Sequence, residues 1–179
     1  PDDPGLPDGY MIHADMSVAD YRKFLEVRIE ATNHSIRDIP EEQVRLHMCW
    51  GSFHHPHTQD IPLREIIDLV YKVKARCCSI EAANPQHEHE WAVFKDHPLP
   101  DGKILIPGLI GHATNYVEHP DLVADYIMKY AQLVGRENVI AGSDCGFSSR
   151  ATYVPEVHPT VVWPKFRALA DGAAQASKQ

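Results

Sequence analysis

The chain has 179 residues, of which 44% are hydrophobic and 23% are charged, so it can bury the core of one ordinary domain and is not a disordered segment. Its 17 Lys and Arg residues and 25 Asp and Glu residues give a formal net charge of -8, which argues against nucleic acid as a partner, since that needs a basic face. Apolar runs are too short to span a membrane and the first residues carry no signal-peptide pattern, so we expect a cytoplasmic protein without a membrane partner.

The first predicted elements are a long helix and a short strand. Residues 1–15 are expected to form an irregular, turn-rich lead-in, because Pro and Gly are frequent there. Ser17 has the residue type of a helix N-cap, with Asp20 three positions later, and the helix that follows is expected to end before Pro40. The segment from Val44 to Cys49 is short and apolar enough to form the first strand.

Two more helices and two more strands are predicted in the middle of the chain. Pro62 suits the first turn of a second helix, whose apolar residues recur at helical spacing as far as Val73. The second strand is expected from Cys77 to Glu81. Residues 85–95 are expected to form a short helix whose histidines and glutamates face solvent, and Ile104 to Ile110 is the strongest strand pattern in the chain.

The last predicted elements follow the same alternation. Pro120 begins a third long helix and Gly135 ends it, which are the usual places for these residue types. A fourth strand is expected from Val139 to Ser143. The final helix is expected from Pro159 to about Ala170, and residues 171–179 are expected to be irregular.

The spacing of the strands predicts the fold class. The four strands begin at positions 44, 77, 104 and 139, which lie 33, 27 and 35 residues apart, and each interval fits a strand, a helix and two loops. This alternation predicts an α/β fold with a parallel sheet and right-handed crossovers. Four units cannot close a (β/α)8 barrel, which needs eight strands and about 250 residues. We therefore expect 1–179 to be a single domain, either a small open sheet or the C-terminal half of a barrel.

Four candidate metal ligands follow three of the predicted strands. His47 and Cys49 are two residues apart at the end of the first strand, so their side chains share one face. Glu81 ends the second strand, and Cys145 follows the fourth. The carboxyl ends of parallel strands lie at one edge of a sheet, so these side chains are expected to converge. One imidazole, two thiolates and one carboxylate suit tetrahedral zinc.

Other interpretations of these residues remain open. Cys49 is also compatible with a small core residue beside a hydrogen-bonded His47, Glu81 with a solvated carboxylate, and Cys145 with a buried thiol. Two thiolates also fit iron or copper in redox roles. A histidine-rich stretch, His54-His55-Pro56-His57, is expected to form a loop near the mouth of the site.

Several motifs together resemble a known enzyme family. In chain order they are Leu46-His47-Met48-Cys49-Trp50-Gly51, Ser79-Ile80-Glu81, Pro107-Gly108-Leu109-Ile110, Val117-Glu118-His119-Pro120 and Ser143-Asp144-Cys145-Gly146-Phe147. They are similar, in type and order, to motifs of the catalytic domain of cobalamin-independent methionine synthases, and the resemblance covers roughly residues 20–150.

The resemblance implies a zinc-bearing (β/α)8 barrel of which this chain holds the last four strands. It implies zinc ligation by His47, Cys49, Glu81 and Cys145. It also implies transfer of a methyl or alkyl group to a thiol, with a methylated pterin, 5-methyltetrahydropteroyl, as donor and homocysteine as acceptor, in methionine biosynthesis. The first half of the barrel is then expected from a preceding segment or from a partner chain.

The family places an Asp and a His after the third strand, where direct alignment puts Gly111 and Ala113. His112 is one position away and is the candidate general acid for the leaving amine. The ordinary alternative is a loop histidine that bonds backbone.

The charge of the ligand set favours alkyl transfer over hydrolysis. Two thiolates and a carboxylate carry a formal charge of about -3, so a site holding Zn²⁺ stays near -1 and keeps a bound thiolate nucleophilic, whereas hydrolytic zinc sites are richer in neutral histidine. The rival interpretations are a non-catalytic zinc module that staples the strands, an alkyltransferase acting on a different thiol, and a metallohydrolase.

Overall fold

A computed structural model describes residues 1–13, 15–51, 56–148 and 157–179 of the chain. Its centre is a parallel sheet of three strands, β1 (Arg45–Met48), β2 (Cys77–Ile80) and β3 (Ile104–Pro107), which lie side by side in that order. The register places Arg45 opposite Cys77 and Cys77 opposite Ile104. The predicted α/β class with a parallel sheet is therefore confirmed.

In the described residues, five α-helices and four 3-10 helices accompany the three strands. They are α1 (Gly9–Ile12), α2 (Val18–Ser35), α3 (Ile67–Val70), α4 (Pro120–Val134) and α5 (Pro159–Ala176), with 3-10 helices at Glu41–Gln43, Leu63–Glu65, Glu88–Lys95 and Arg136–Asn138. The predicted ends of two helices are confirmed. Ser17 caps α2 by accepting a hydrogen bond from the Asp20 amide at 3.1 Å, and Gly135, with φ of 89°, ends α4.

The second helix is not continuous, contrary to the prediction. The apolar residues of that stretch are buried as expected, but Ile66 has φ of -131° and separates the Leu63–Glu65 turn from α3. The Arg22 guanidinium donates one hydrogen bond to the Glu65 carbonyl and two to the Asp68 carboxylate. This contact from α2 takes a carbonyl that a continuous helix would use, so tertiary structure overrides the local pattern.

The predicted fourth strand, 139–143, pairs with β3 only at isolated positions. Val139 is bridged to Leu105 and Gly142 to Gly108, in one parallel register. Between these bridges the register calls for an N–H donor at residue 107, and Pro107 has none. The proline thus interrupts the ladder, and the segment lies beside β3 without forming a regular strand.

Both chain ends are more ordered than predicted. At the start, the His47 amide donates to the Pro1 carbonyl and the Asp3 amide donates to the His47 carbonyl, each at 3.0 Å, so residues 1–3 extend the sheet beyond β1. At the other end, α5 continues to Ala176. Gly172 lies so close to α4 that an added Cβ would meet Val123 at 2.6 Å. The lack of a side chain at Gly172 lets α4 and α5 pack closely, which keeps residues 171–176 helical.

The two faces of the sheet differ, and this difference positions the site. Leu46, Met48 and Ile80 are at most 1% exposed and point into the core beneath the helices. His47 and Ser79 alternate with them, as strand geometry requires, and lie on the opposite, partly exposed face. Across the described ranges, no helix combines the length and apolar character needed to cross a bilayer.

Candidate metal centre

Three of the four predicted metal ligands meet at the carboxyl edge of the sheet. One ligand atom from each of His47, Cys49 and Cys145 lies within 4.8 Å of the other two. The Cys145 Sγ is 3.5 Å from the His47 Nε2. His47 and Cys49 come from the end of β1, and Cys145 follows the segment bridged to β3, so the parallel topology brings the three together as the sequence predicts.

The two thiols shift each other's pKa in opposite directions. A hydrogen bond from Cys145 lowers the pKa of Cys49 to about 5 despite burial, with His47 and the Gly51 amide adding to the effect. The same hydrogen bond raises the pKa of Cys145, and burial adds to that rise. The lowered pKa favours the thiolate form of Cys49, which is the form in which a sulfur binds metal.

Ser79 orients the imidazole of His47. The His47 Nδ1 is 3.1 Å from the Ser79 Oγ, and the two residues lie directly opposite each other on β1 and β2. This contact leaves Nε2 turned toward Cys145. A metal-binding histidine usually has such a partner on its other nitrogen, which fixes the orientation of the ring.

Glu81 lies beside this group without joining it. Its Oε2 accepts a hydrogen bond from the Trp50 amide at 2.9 Å, and its Oε1 accepts one from Asn84 at 2.6 Å. These bonds fix the carboxylate next to Cys49, although burial raises the pKa of Glu81. The structure groups Glu81 instead with His112 and Asp144. Its role as the fourth zinc ligand stays a prediction.

The second group contains the candidate general acid. Ligand atoms of Glu81, His112 and Asp144 all lie within 4.8 Å of one another, and all three residues are buried. Asp144 Oδ1 accepts hydrogen bonds from the Ala82 and Ala83 amides, each at 2.8 Å, and so ties the chain after β2 to the Cys145 segment. Burial raises the pKa of Asp144 to about 7, and the nearby charge of Glu81 adds to the rise. In the sequence, Asp144 stands out only as part of a motif.

A buried histidine beside the site contradicts the sequence-based prediction. His87 and Glu90, expected on a solvent-facing helix, are 4% and 6% exposed. The His87 ring lies 3.2 Å from Asp60 through Nε2 and 3.3 Å from Glu90 through Nδ1, and it stacks on Trp50 at 3.7 Å. Burial alone would lower the pKa of His87, but the two carboxylates raise it to about 9. The i, i+3 spacing of His87 and Glu90, just before the apolar Trp91, is the signal that could have revealed this cluster.

Two cavities are lined in part by residues of the candidate site. One, of about 540 Å³, lies over the partly exposed sheet face and is lined by His47, Cys145 and apolar side chains that include Phe147 and Phe166. The other, of about 360 Å³, is lined by polar side chains that include Glu81, His87 and His112, together with Trp50. Of the predicted histidine-rich loop, His54 and His55 lie outside the described residues, and His57 contacts Asp60 at 3.1 Å.

This fold and site define a parallel α/β protein that carries an imidazole and two thiols at the carboxyl edge of its sheet. The chain is similar to 2-hydroxypropyl-CoM lyase from Xanthobacter autotrophicus, with 21% identity over 174 residues that cover 83% of this chain and 44% of the relative. It also shares its fold with a B12-independent methionine synthase from Shewanella sp. W3-18-1, solved in complex with selenomethionine. That match has a TM-score of 0.67 and 19% identity and covers 99% of this chain and 47% of the other.

The resemblance to cobalamin-independent methionine synthases that the motifs indicate is confirmed by these two matches. No protein-family model matches the chain. The chain spans less than half the length of either relative.

Proposed function

We propose that this chain carries the zinc-binding part of an enzyme that transfers a methyl or alkyl group to a thiol. The observation that carries the proposal is the meeting of His47, Cys49 and Cys145 at one sheet edge. The donor atoms fit zinc, because an imidazole nitrogen and two thiolate sulfurs are among its preferred ligands. Glu81, fixed beside Cys49, would supply the fourth protein ligand.

Bound zinc would hold an incoming thiol as the thiolate, which is the nucleophilic form. The protein contributes the negative charge of its ligands to this chemistry. Cys49 and Cys145 as thiolates, together with the Glu81 carboxylate, carry about -3 and leave the site electron-rich, which favours a nucleophilic sulfur over activation of water. Ser79 keeps the His47 ring turned toward the sulfurs.

We propose that His112 acts on the leaving group. It is buried, lies within 4.8 Å of Glu81 and lines the polar cavity. An amine leaving from a methylated pterin needs a proton, and a histidine at this position can donate one. We assign His112 as the general acid on this geometry.

The two cavities support a reaction with two substrates. Each cavity is lined by residues of the candidate site: His47 and Cys145 line the cavity of about 540 Å³, and Glu81 and His112 line the cavity of about 360 Å³. A donor and an acceptor can thus approach the same edge of the sheet. We propose a 5-methyltetrahydropteroyl donor and homocysteine as acceptor.

The complete enzyme requires more than this chain. We propose that the described sheet is the C-terminal half of a (β/α)8 barrel, and that a preceding segment or a partner chain supplies the other half. Residues 1–3, paired outside β1, mark the edge at which the next strand would join.

X-ray absorption spectroscopy of the zinc-loaded protein, with and without homocysteine, tests the proposal. We expect one zinc per chain with two sulfur ligands, and a third sulfur when homocysteine is added. Cys77→Ser is the matched control, because Cys77 is also a buried free thiol but belongs to neither ligand group. A ligand shell that stays unchanged on adding the thiol would identify a structural zinc module instead. A zinc that keeps a water ligand, together with release of a hydrolysis product, would point to a hydrolase.

A further inference from the structure

We propose that His87 is a positioning residue, which holds the Glu81 carboxylate in the orientation in which it ligates zinc. This role rests on the proposed function, since it takes Glu81 as the fourth zinc ligand, and it involves a buried histidine that the proposed chemistry does not use. Two separate sets of contacts lead from His87 to Glu81, and each ends on a different oxygen of the carboxylate. One set passes through Trp50 and the other through Asn84.

The first set of contacts starts at the ring of His87. This ring stacks on the indole of Trp50, with ring centroids 3.7 Å apart and planes inclined by 16°. The indole Nε1 donates a hydrogen bond to the Ile61 carbonyl at 2.8 Å, and Trp50 is only 1% exposed. Because Trp50 is held by both contacts, its backbone amide is fixed where it donates to Glu81 Oε2 at 2.9 Å.

The second set of contacts starts at the backbone of His87. The His87 amide donates to Asn84 Oδ1 at 3.0 Å, and the Gln86 amide donates to the same oxygen at 2.9 Å. This oxygen cannot exchange places with the side-chain NH₂ group without the loss of both bonds. The Asn84 Nδ2 is therefore kept toward Glu81, and it donates to Oε1 at 2.6 Å.

His87 can support these contacts because its own ring is fixed at both nitrogens. The Nε2 lies 3.2 Å from Asp60 Oδ2, and the Nδ1 lies 3.3 Å from Glu90 Oε2. Glu90 is held in turn by the Leu63 amide, which donates to its Oε1 at 2.7 Å. The side chains of His87 and Asp60 are 4% and 1% exposed. Rotation of the ring would break contacts between buried charged groups, and that is costly.

The result is a carboxylate that is oriented before any metal binds. Each oxygen of Glu81 accepts one N–H group and keeps further acceptor capacity for a cation. Loss of a group that orients a metal ligand typically weakens metal binding about 10- to 100-fold. A residue that only packed the core would lower the stability of the fold, but its effect on zinc would not depend on Glu81.

A double-mutant cycle on zinc affinity, measured by competition with a chromophoric chelator, tests this role. We expect His87→Gln to weaken zinc binding by about 10- to 100-fold. In a Glu81→Gln background the same change should have no further effect, because no carboxylate is left to position. Lys103→Met is the matched control. It removes a buried ion pair with Glu41 just before β3, at the opposite edge of the sheet, so it should lower stability but leave zinc affinity unchanged.

Two further measurements keep the test decisive if His87→Gln folds poorly. Trp50→Phe loses the hydrogen bond to Ile61 and should also weaken zinc binding, again only where Glu81 is present. In the metal-free chain, nuclear magnetic resonance should show faster hydrogen exchange of the Trp50 amide in His87→Gln than in the wild type. Equal losses of zinc affinity from His87→Gln with and without Glu81, or no loss in either background, would overturn the positioning role.

The single variants of the cycle report separately on the proposed function. If Glu81→Gln alone keeps wild-type zinc affinity, or if the wild-type chain binds no zinc, the ligand set is wrong and the role of His87 is overturned with it. If Glu81→Gln weakens zinc binding and His87→Gln does not, only the positioning role is overturned.

Discussion

The Cys145 Sγ lies 3.5 Å from the His47 Nε2, although 98 positions of the chain separate the two residues. Such a contact depends on the complete parallel sheet, since β2 and β3 lie between β1 and the Cys145 segment in the chain. The candidate metal centre is therefore a product of topology, and its integrity reports on the whole sheet.

Replacing Cys145 tests the sulfur ligands. In Cys145→Ser we expect zinc affinity to fall by orders of magnitude, because a hydroxyl is a much poorer zinc ligand than a thiolate. Competition with a chromophoric chelator measures the affinity. Cys77→Ser should retain zinc with wild-type affinity, and tight stoichiometric zinc in Cys145→Ser would remove Cys145 from the ligand set.

Replacing Ser79 tests the orientation of the histidine. Ser79→Ala removes the partner of the His47 Nδ1 without touching a ligand. Loss of such a partner typically weakens metal binding about 10- to 100-fold, and we expect a decrease of that size in the same chelator competition. Ser35→Ala, at the exposed end of α2, is the control and should have no effect. An unchanged affinity in Ser79→Ala would show that packing alone orients the ring.

The buried His87 predicts a dependence of stability on pH. Because the folded pKa of His87 is raised to about 9 from an ordinary value near 6.5, its contribution is fully present below pH 6.5 and is lost as pH rises toward 9. The shift corresponds to a contribution on the order of 3 kcal/mol. Urea unfolding at a series of pH values measures it.

The variant His87→Gln should flatten this dependence between pH 6.5 and 9, whereas His34→Gln, at the exposed end of α2, should leave it as in the wild type. A wild-type chain whose free energy of unfolding is constant over that range would contradict an imidazolium held between Asp60 and Glu90.

Gly108 is expected to tolerate no side chain. A Cβ there would lie 2.1 Å from Asp144 Oδ1 and 2.6 Å from the Asp144 Cα, so backbone would have to move. Gly108→Ala should destabilise the fold by about 1–3 kcal/mol or more and lower zinc affinity, since the Cys145 segment shifts. Gly146→Ala meets nothing within 4 Å and should be neutral by thermal unfolding. Equal melting temperatures for the two variants would refute the close packing.

Much of the fold was predictable because local rules and tertiary structure agree there. The cap at Ser17, the start at Pro120 and the end at Gly135 follow from side-chain chemistry and backbone freedom at single positions. The prediction of a regular strand at 139–143 was wrong, because Pro107 interrupts the ladder with this segment. That effect depends on which strand lies beside Pro107. Sequence alone does not give that register.

The candidate site was predictable to the level of His47, Cys49 and Cys145, since alternation along β1 and the shared carboxyl edge determine their convergence. The place of Glu81 depends on hydrogen bonds to Trp50 and Asn84, which no spacing rule provides. The burial of His87 was missed for a related reason. A charged helix face predicts that His87 is exposed to solvent. Only the tertiary fold brings Asp60 into contact with the His87 ring.

The gap that Pro107 leaves in the ladder has a consequence for how the metal centre and the sheet influence each other. The stretch carrying Cys145 is held to β3 and to the residues just after it by backbone hydrogen bonds that Leu109, Ile140, Gly142 and Asp144 donate, and it lacks the bond that residue 107 would donate. An ion bound by Cys145 and the β1 side chains would cross-link this stretch to β1. Amide exchange at Ile140 and Gly142 should accordingly slow when zinc is added. The exchange rate of this stretch would then report how much metal the protein holds.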